Sequence, residues 1–261
     1  VPWLDNAPED CEWWLMTGMK SPIQASTPYV ERVFKNIAGS KHPSIQYAKY
    51  FSNPWLMHSM VNSGYRLKDA CALESLATKV IDTSPPNSND YAAALCVLAY
   101  SALQGSDCER KSTYISAIEQ FVKQPVKNPM TLRWDISLLF VKAKLLETQG
   151  SLIEAIHAYI ECSQRDALSF SIHLATKTTE AAFCAGKIAY SIGIIEQARA
   201  AWEHGVNLGS TLLQADLRDI LINPEFPNLF NHGDGIREYA VAWDNIARCA
   251  NGLHLLHGNL P

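Results

Sequence analysis

The chain has 261 residues, 48% of them hydrophobic, which is enough apolar material to bury a sizeable core. Its 22 Lys and Arg residues stand against 26 Asp and Glu residues, so the net charge is −4, and the charges are dispersed along the sequence. This composition argues against a disordered chain, and it gives no support to nucleic-acid binding, which depends on concentrated positive charge.

Helix signals dominate the sequence. Apolar residues recur three and four apart, breaker residues separate the apolar runs, and strand signals are nearly absent. The pairs Thr27-Pro28, Asn53-Pro54 and Asn128-Pro129 each combine an N-cap residue with a proline at the first helical position. The pattern therefore predicts an all-α fold.

The predicted helices come in pairs from about residue 44 onwards. The pairs are 44–63 with 67–82, 91–104 with 109–124, 129–149 with 151–163, and 178–192 with 194–207. Asp90, at the end of the loop TSPPNSND, is expected to cap the helix that follows it. The rest of the chain is predicted as a short helix near 211–221, a proline-rich loop at 222–230, and a terminal helix near 235–256 with Asp234 as its cap.

The third and fourth pairs match each other when one is shifted by 43 residues. The matches are Phe140 with Phe183, Ala143 with Gly186, Lys144 with Lys187, Gly150 with Gly193, Ala155 with Ala198, and Tyr159 with Trp202. The turn glycines favour positive φ, and the small residues let two helix axes approach closely. The large aromatics lie four residues after their alanines, where they can fill the space against the next hairpin.

This arrangement resembles the tetratricopeptide repeat (TPR), a 34-residue helix-turn-helix unit, most clearly over residues 136–209. The resemblance implies stacked antiparallel hairpins forming an α-solenoid, with atypical units at its ends. It predicts an N-terminal helical cap (1–41), a hairpin array (42–209) and C-terminal capping helices (210–261). Because the shift exceeds 34 by nine residues, the segment SQRDALSFSIHLATKT is expected to be a long or partly helical connection. Generic packing of α-hairpins is the alternative.

The resemblance also implies that the first helix of each pair lines a concave groove for a partner. The predicted groove residues are Phe140, Lys144, Glu147, Phe183, Lys187 and Tyr190. An aromatic ring one turn before a lysine suits an extended peptide, because the ring offers apolar area and the ammonium attracts a carboxylate or phosphate. An acidic protein or peptide is therefore the expected partner. The alternative is that the phenylalanines pack internally and the lysines are solvated.

Two further motifs deserve interpretation. Trp13 and Trp14 in CEWWLMTG point to different sides of a helix, so one of them is a candidate interface residue, with a helix buried on all sides as the alternative. His254 and His257 have a spacing that suits a metal site, but no Cys or carboxylate lies close to them in sequence. We therefore expect no metal and no cofactor.

The sequence lacks the motifs GxSxG, GxGxxG, the P-loop and HExxH. The leading hypothesis is a non-catalytic protein–protein interaction scaffold that binds a peptide or protein partner in its groove. The alternative is a helical accessory domain of a larger enzyme, for example a bacterial glycosyltransferase or methyltransferase, that positions the catalytic domain or a polymeric substrate. A free-standing helical enzyme is a third hypothesis.

Cellular location is inferred from cysteines and hydropathy. The seven cysteines are scattered without a CxxC pair, which is typical of reduced thiols inside cells. No apolar run approaches the ~20 residues that cross a bilayer, and the N-terminus lacks a secretion signal. These features predict a cytoplasmic protein without a membrane span. Since the first residue is Val1, we expect a processed protein or a piece of a longer chain.

Overall fold

A computed structural model of the chain describes residues 74, 77–78, 80–82, 84–123, 129–169, 174–214, 222–223, 226–230 and 232–258. The chain divides between Asp107 and Cys108 into two compact units. The predicted N-terminal cap, the predicted helix 44–63, and the start signals Thr27-Pro28 and Asn53-Pro54 lie outside the described residues.

The first unit contains helix α1 (Asn89–Leu103). Ser88 is its N-cap, since the Ser88 side chain accepts a hydrogen bond of 3.1 Å from the backbone N–H of Tyr91. The prediction that Asp90 caps this helix is therefore wrong, and Asp90 lies inside α1. Residues 92–99 are all buried, so α1 is enclosed on every side.

The second unit contains six α-helices among its described residues. They are α2 (Cys108–Val122), α3 (Pro129–Thr148), α4 (Leu152–Ser163), α5 (Ala175–Ser191), α6 (Ile195–Leu213) and α7 (His232–Gly258). Pro129 is the first residue of α3, as predicted, whereas α7 begins before Asp234, the predicted cap. Helix α6 runs past the predicted boundary at 209/210. The predicted all-α class is confirmed for this part of the chain, apart from one short hairpin.

That hairpin lies where the sequence predicted a proline-rich loop. Strand β1 (Ile222–Asn223) pairs antiparallel with β2 (Phe226–Phe230), with Ile222 opposite Phe230 and an irregular register after it. Strand β2 includes Pro227, which a sheet of only two strands tolerates because each strand has an unpaired edge.

Consecutive helices of the second unit pack antiparallel, and alternate helices run parallel. Helix α3 packs against α2 and α4, α5 packs against α4 and α6, and α7 lies on both α5 and α6. The Lys177 ammonium of α5 donates to the Ser137 hydroxyl near the middle of α3 (2.7 Å). At the start of α7, the Thr176 hydroxyl of α5 donates to the Glu238 carboxylate (2.7 Å).

The connection between α4 and α5 is partly helical, as predicted, with a short 3₁₀ turn at Ala167–Ser169. The two turn glycines adopt the predicted positive φ, 78° for Gly150 and 80° for Gly193. The residue after each glycine donates its N–H back to the preceding helix, from Ser151 to the Leu146 carbonyl (3.0 Å) and from Ile194 to the Ala189 carbonyl (2.9 Å). Both turns thus have the hydrogen bond of a glycine-terminated helix end.

The small and large residues of the repeated pattern are buried, as their predicted packing roles require. Ala155 and Ala198 are completely buried, and Tyr159 and Trp202 are 0% and 3% exposed. The Trp202 indole lies against Gly186 of α5, where any β-carbon would overlap it. These contacts explain why a glycine stands at position 186, where the other hairpin has Ala143.

Candidate partner-binding face

Phe140 lies in the core, whereas the groove prediction requires an exposed ring at this position. Its ring is 3% exposed and packs edge to face against Tyr159 of α4, with ring centroids 6.0 Å apart. Phe140 therefore contributes to the core between α3 and α4, which is the role that the alternative interpretation gave it.

Lys144 extends from α3 towards α5. Its ammonium nitrogen lies 4.7 Å from the centroid of the Phe140 ring and 3.2 Å from Oε1 of Glu180. Both side chains of the ion pair are about one-third exposed, at 29% and 33%. The positive charge that was expected to attract a partner is thus shared with a carboxylate of this chain, and the pair joins two parallel helices.

Glu147 lies one turn after Lys144 and accepts a hydrogen bond of 2.7 Å from the hydroxyl of Tyr159. Tyr159 is completely buried, and this burial is the largest cause that raises the pKa of its hydroxyl above the usual value. The hydroxyl therefore stays protonated and acts as a donor. This bond fixes the Glu147 carboxylate at the surface of α3, where the residue is partly exposed.

The predicted residues of α5 form a row at helical spacing. Phe183 is half-buried, and the Arg248 guanidinium carbon of α7 lies 5.6 Å from its ring centroid. One turn further on, Lys187 is exposed. Tyr190 is 38% exposed, and its ring centroid lies 5.9 Å from that of Trp202. We call Phe183, Lys187, Tyr190 and Arg248 the α5 row.

Sequence analysis did not identify Glu180, Cys184 or Arg248 as neighbours of the predicted groove residues. Glu180 and Cys184 lie on α5 one turn apart, but their approach to Lys144 depends on the register between two hairpins. Arg248 lies 65 positions beyond Phe183, so no local pattern relates them. Burial raises the pKa of the Cys184 thiol to about 11, so this thiol is protonated at neutral pH and is a poor nucleophile.

A cleft of about 220 Å³ opens at the end of the second unit that lies opposite the Gly150 and Gly193 turns. It is lined by the end of α4, the 3₁₀ turn, the start of α5 and the last turns of α6, including Arg165, Leu168, Thr178, His204, Leu208 and Leu212. The Arg165 guanidinium binds Asp135 at 2.6 Å and Glu161 at 2.9 Å. The His204 Nε2 atom lies 3.0 Å from the Ser163 carbonyl, and it carries the proton because a carbonyl only accepts.

The cleft therefore presents polar groups that are already bonded to the protein. Asp135 is 2% exposed. Its burial raises the pKa of the carboxyl by more than the neighbouring Arg165 lowers it, so the pKa lies above its usual value. We interpret the Asp135–Arg165–Glu161 cluster as a structural link between α3 and the end of α4. It offers no unpaired charge that would define a ligand.

The other predicted sites receive less support from the described residues. Trp13 and Trp14 lie outside them. His254 is exposed on α7, while the side chain of His257 is not described. Within the described ranges, no group of three or more His, Cys, Asp or Glu side chains could hold a metal ion. No helix in those ranges combines the length and hydrophobicity that a bilayer span requires.

Comparisons with protein-family models, with curated proteins and with solved structures find no match to this chain.

Proposed function

We propose that this chain is a non-catalytic protein-interaction scaffold whose helical hairpins stack as a TPR-like α-solenoid. A peptide or protein partner binds along the surface that carries the α5 row. The observation that supports the proposal is the accessible aromatic and cationic side chains at a spacing of one helical turn, which are Phe183, Lys187 and Tyr190.

The chemistry of the α5 row favours a partner segment with both apolar and acidic groups. The Phe183 and Tyr190 rings offer apolar area, and Lys187 lies between them on the same side of α5. Arg248 lies over Phe183, but it is also paired with Asp244 at 2.9 Å. Lys187 is therefore the main cation of the proposed contact, and Lys144, bound to Glu180, takes a smaller part.

The thiols support the proposed cytoplasmic location. Cys162, Cys184 and Cys249 are free thiols rather than disulfides. Burial raises the pKa of Cys249 to about 12 and also raises that of Cys162, so these thiols are unreactive at neutral pH. Such thiols fit a packing role in a reducing compartment.

The test compares the parent chain with Lys187→Glu and with Lys123→Glu, a control that makes the same charge change at an exposed position immediately after α2. Each form is used to retain proteins from the native cell extract, and a retained protein is then purified and titrated against all three. We expect the parent and Lys123→Glu to bind with equal affinity and Lys187→Glu to bind about tenfold more weakly. Equal affinity of all three forms would remove the α5 row from the proposed contact.

A further inference from the structure

Most charged side chains around the α5 row are paired within the chain. Towards α3, the Lys144 ammonium lies 3.2 Å from the Glu180 carboxylate of α5. Towards α7, the Arg248 guanidinium, which lies over Phe183, is 2.9 Å from the Asp244 carboxylate. Each of these cations would have to leave a carboxylate of this chain before it could bind one of a partner.

The charged residues nearer the start of α5 and α7 are bonded as well. The Lys177 ammonium donates to the Ser137 hydroxyl, and the Glu238 carboxylate accepts from the Thr176 hydroxyl, both at 2.7 Å. These two side chains are therefore engaged between helices.

Glu147 and Lys187 differ in this respect. The Glu147 carboxylate accepts the hydrogen bond from Tyr159 but has no cation bound to it among the described residues. The exposed Lys187 side chain forms no hydrogen bond and no ion pair with any residue that the structure describes. Lys187 is thus the one cation of the α5 row that can bind a partner without the loss of an internal bond.

Carboxylates surround this lysine, as the neighbouring Cys184 thiol shows. Burial raises the pKa of this thiol most, the ammonium groups of Lys144 and Lys187 lower it, and the carboxylates of Glu180 and Glu147 raise it. All four charged groups therefore lie within electrostatic reach of one thiol. In addition, the last turns of α3 and α5 contain no basic residue that would offset the negative ends of their helix dipoles.

This arrangement has room for one partner carboxylate. A carboxylate at Lys187 gains an ion pair, whereas a second one beside it meets the carboxylates of this chain. Because Lys187 lies between the Phe183 and Tyr190 rings, the favoured neighbours of that carboxylate are apolar. We propose that the α5 row selects segments with a single acidic residue between apolar residues and discriminates against segments with clustered acidic residues. This inference rests on the proposed function, because it specifies the partner of the same surface.

The test begins with phage-displayed random peptides, which are selected at physiological salt on the whole parent chain, on Lys187→Glu and on the control Lys123→Glu. We expect peptides from the parent and the control to contain one acidic residue flanked by apolar residues, and peptides from Lys187→Glu to contain a basic residue in its place. Selected peptides that bind all three forms alike, or a library without any binder, would overturn the proposed function together with this inference.

A peptide whose binding depends on Lys187 is then titrated by fluorescence anisotropy. The two residues next to its acidic residue are replaced by glutamate in one form and by glutamine, as the matched control, in another. We expect the glutamate form to bind the parent about tenfold more weakly than the glutamine form. Glu147→Gln with Asp244→Asn removes nearby negative charge while keeping similar hydrogen-bonding groups, so this variant should bind the two forms almost equally.

Two results would overturn the inference alone. One is that the parent binds the glutamate form as tightly as the glutamine form. The other is that the double variant keeps the parent's preference for the glutamine form. In both cases the dependence on Lys187 would still support the proposed function.

Discussion

The indole of Trp202 in α6 lies where a β-carbon on Gly252 in α7 would have to be. The same ring also lies against Gly186 in α5, and its Nε1 donates to the Phe183 carbonyl at 3.2 Å. One side chain of α6 thus contacts two other helices, each of them at a glycine. The packing of α7 on the α5–α6 hairpin therefore requires glycine at both positions 186 and 252.

Gly252→Ala should therefore destabilise the second unit, although alanine is the better helix former by about 1 kcal/mol. The added methyl meets rigid ring atoms and not the end of a flexible chain. Overpacking of this kind costs about 1–3 kcal/mol, so we expect a net loss in the free energy of unfolding, measured by urea denaturation.

Gly209→Ala is the matched control, since this glycine also lies inside a helix and its nearest neighbour, a ring carbon of Trp243, would be 3.3 Å from the new β-carbon. That contact needs only a small adjustment. A loss at Gly252→Ala no greater than at Gly209→Ala would contradict the close contact with Trp202.

The turn glycines should respond differently, because they have free space around them. A β-carbon at Gly150 or Gly193 would meet nothing within 4 Å, but the φ angles of 78° and 80° are unfavourable for alanine. We expect Gly150→Ala and Gly193→Ala each to cost about 1 kcal/mol, and the asparagine variants to cost less, because asparagine tolerates positive φ. Denaturant titration of the four variants measures the difference, and equal losses for alanine and asparagine would exclude backbone strain as the cause.

The helix contacts predicted from the repeated pattern can be tested by overpacking. Ala155 and Ala198 are completely buried, so Ala155→Leu or Ala198→Leu should destabilise the protein by about 1–3 kcal/mol. Ala200→Leu, two residues along α6 on its exposed side, should change the melting temperature little. If Ala198→Leu and Ala200→Leu melt at the same temperature, the close contact is not at Ala198.

The Asp135 carboxyl predicts a pH dependence with a definite sign. Its folded-state pKa is raised above the usual 3.8, mainly by burial, so the folded state binds this proton more tightly than the unfolded chain. Its stabilising contribution is present below pH 3.8 and is lost as the pH rises through the folded-state pKa. We therefore expect the stability of the parent minus that of Asp135→Asn to decrease as the pH rises above about 4.

Urea denaturation of both forms across this pH range provides the measurement. A difference that increases with pH would mean that the ion pair with Arg165, whose Nε lies 2.6 Å from Asp135, outweighs the cost of burial.

The elements of the second unit were largely predictable, because local patterns specify them. The proline of Asn128-Pro129 begins α3, and the positive φ at Gly150 and Gly193 follows from glycine at the end of an apolar helix. The β1–β2 hairpin was missed because its proline suggested a loop.

The candidate site was less predictable, since sequence spacing does not tell which neighbour a side chain meets. The match of Phe140 with Phe183 suggested equivalent positions, yet Phe140 is buried against Tyr159, whereas Phe183 is half-buried under Arg248. Trp202, which stands where the other hairpin has Tyr159, pairs with the Tyr190 ring at a centroid distance of 5.9 Å. Whether a partner binds there stays a prediction.

The polar bonds between α3 and α5 also bear on how the sequence can change in evolution. The Lys177–Ser137 hydrogen bond and the Lys144–Glu180 ion pair are direct contacts between the two helices, and they fix how the helices align. The connection between Ser163 and Ala175 therefore does not need a fixed length to hold the helices in alignment. The entropic cost of closing a loop also grows only slowly with the length of the loop. Insertions and deletions in related sequences should therefore accumulate in that connection, while the helices on either side keep their alignment.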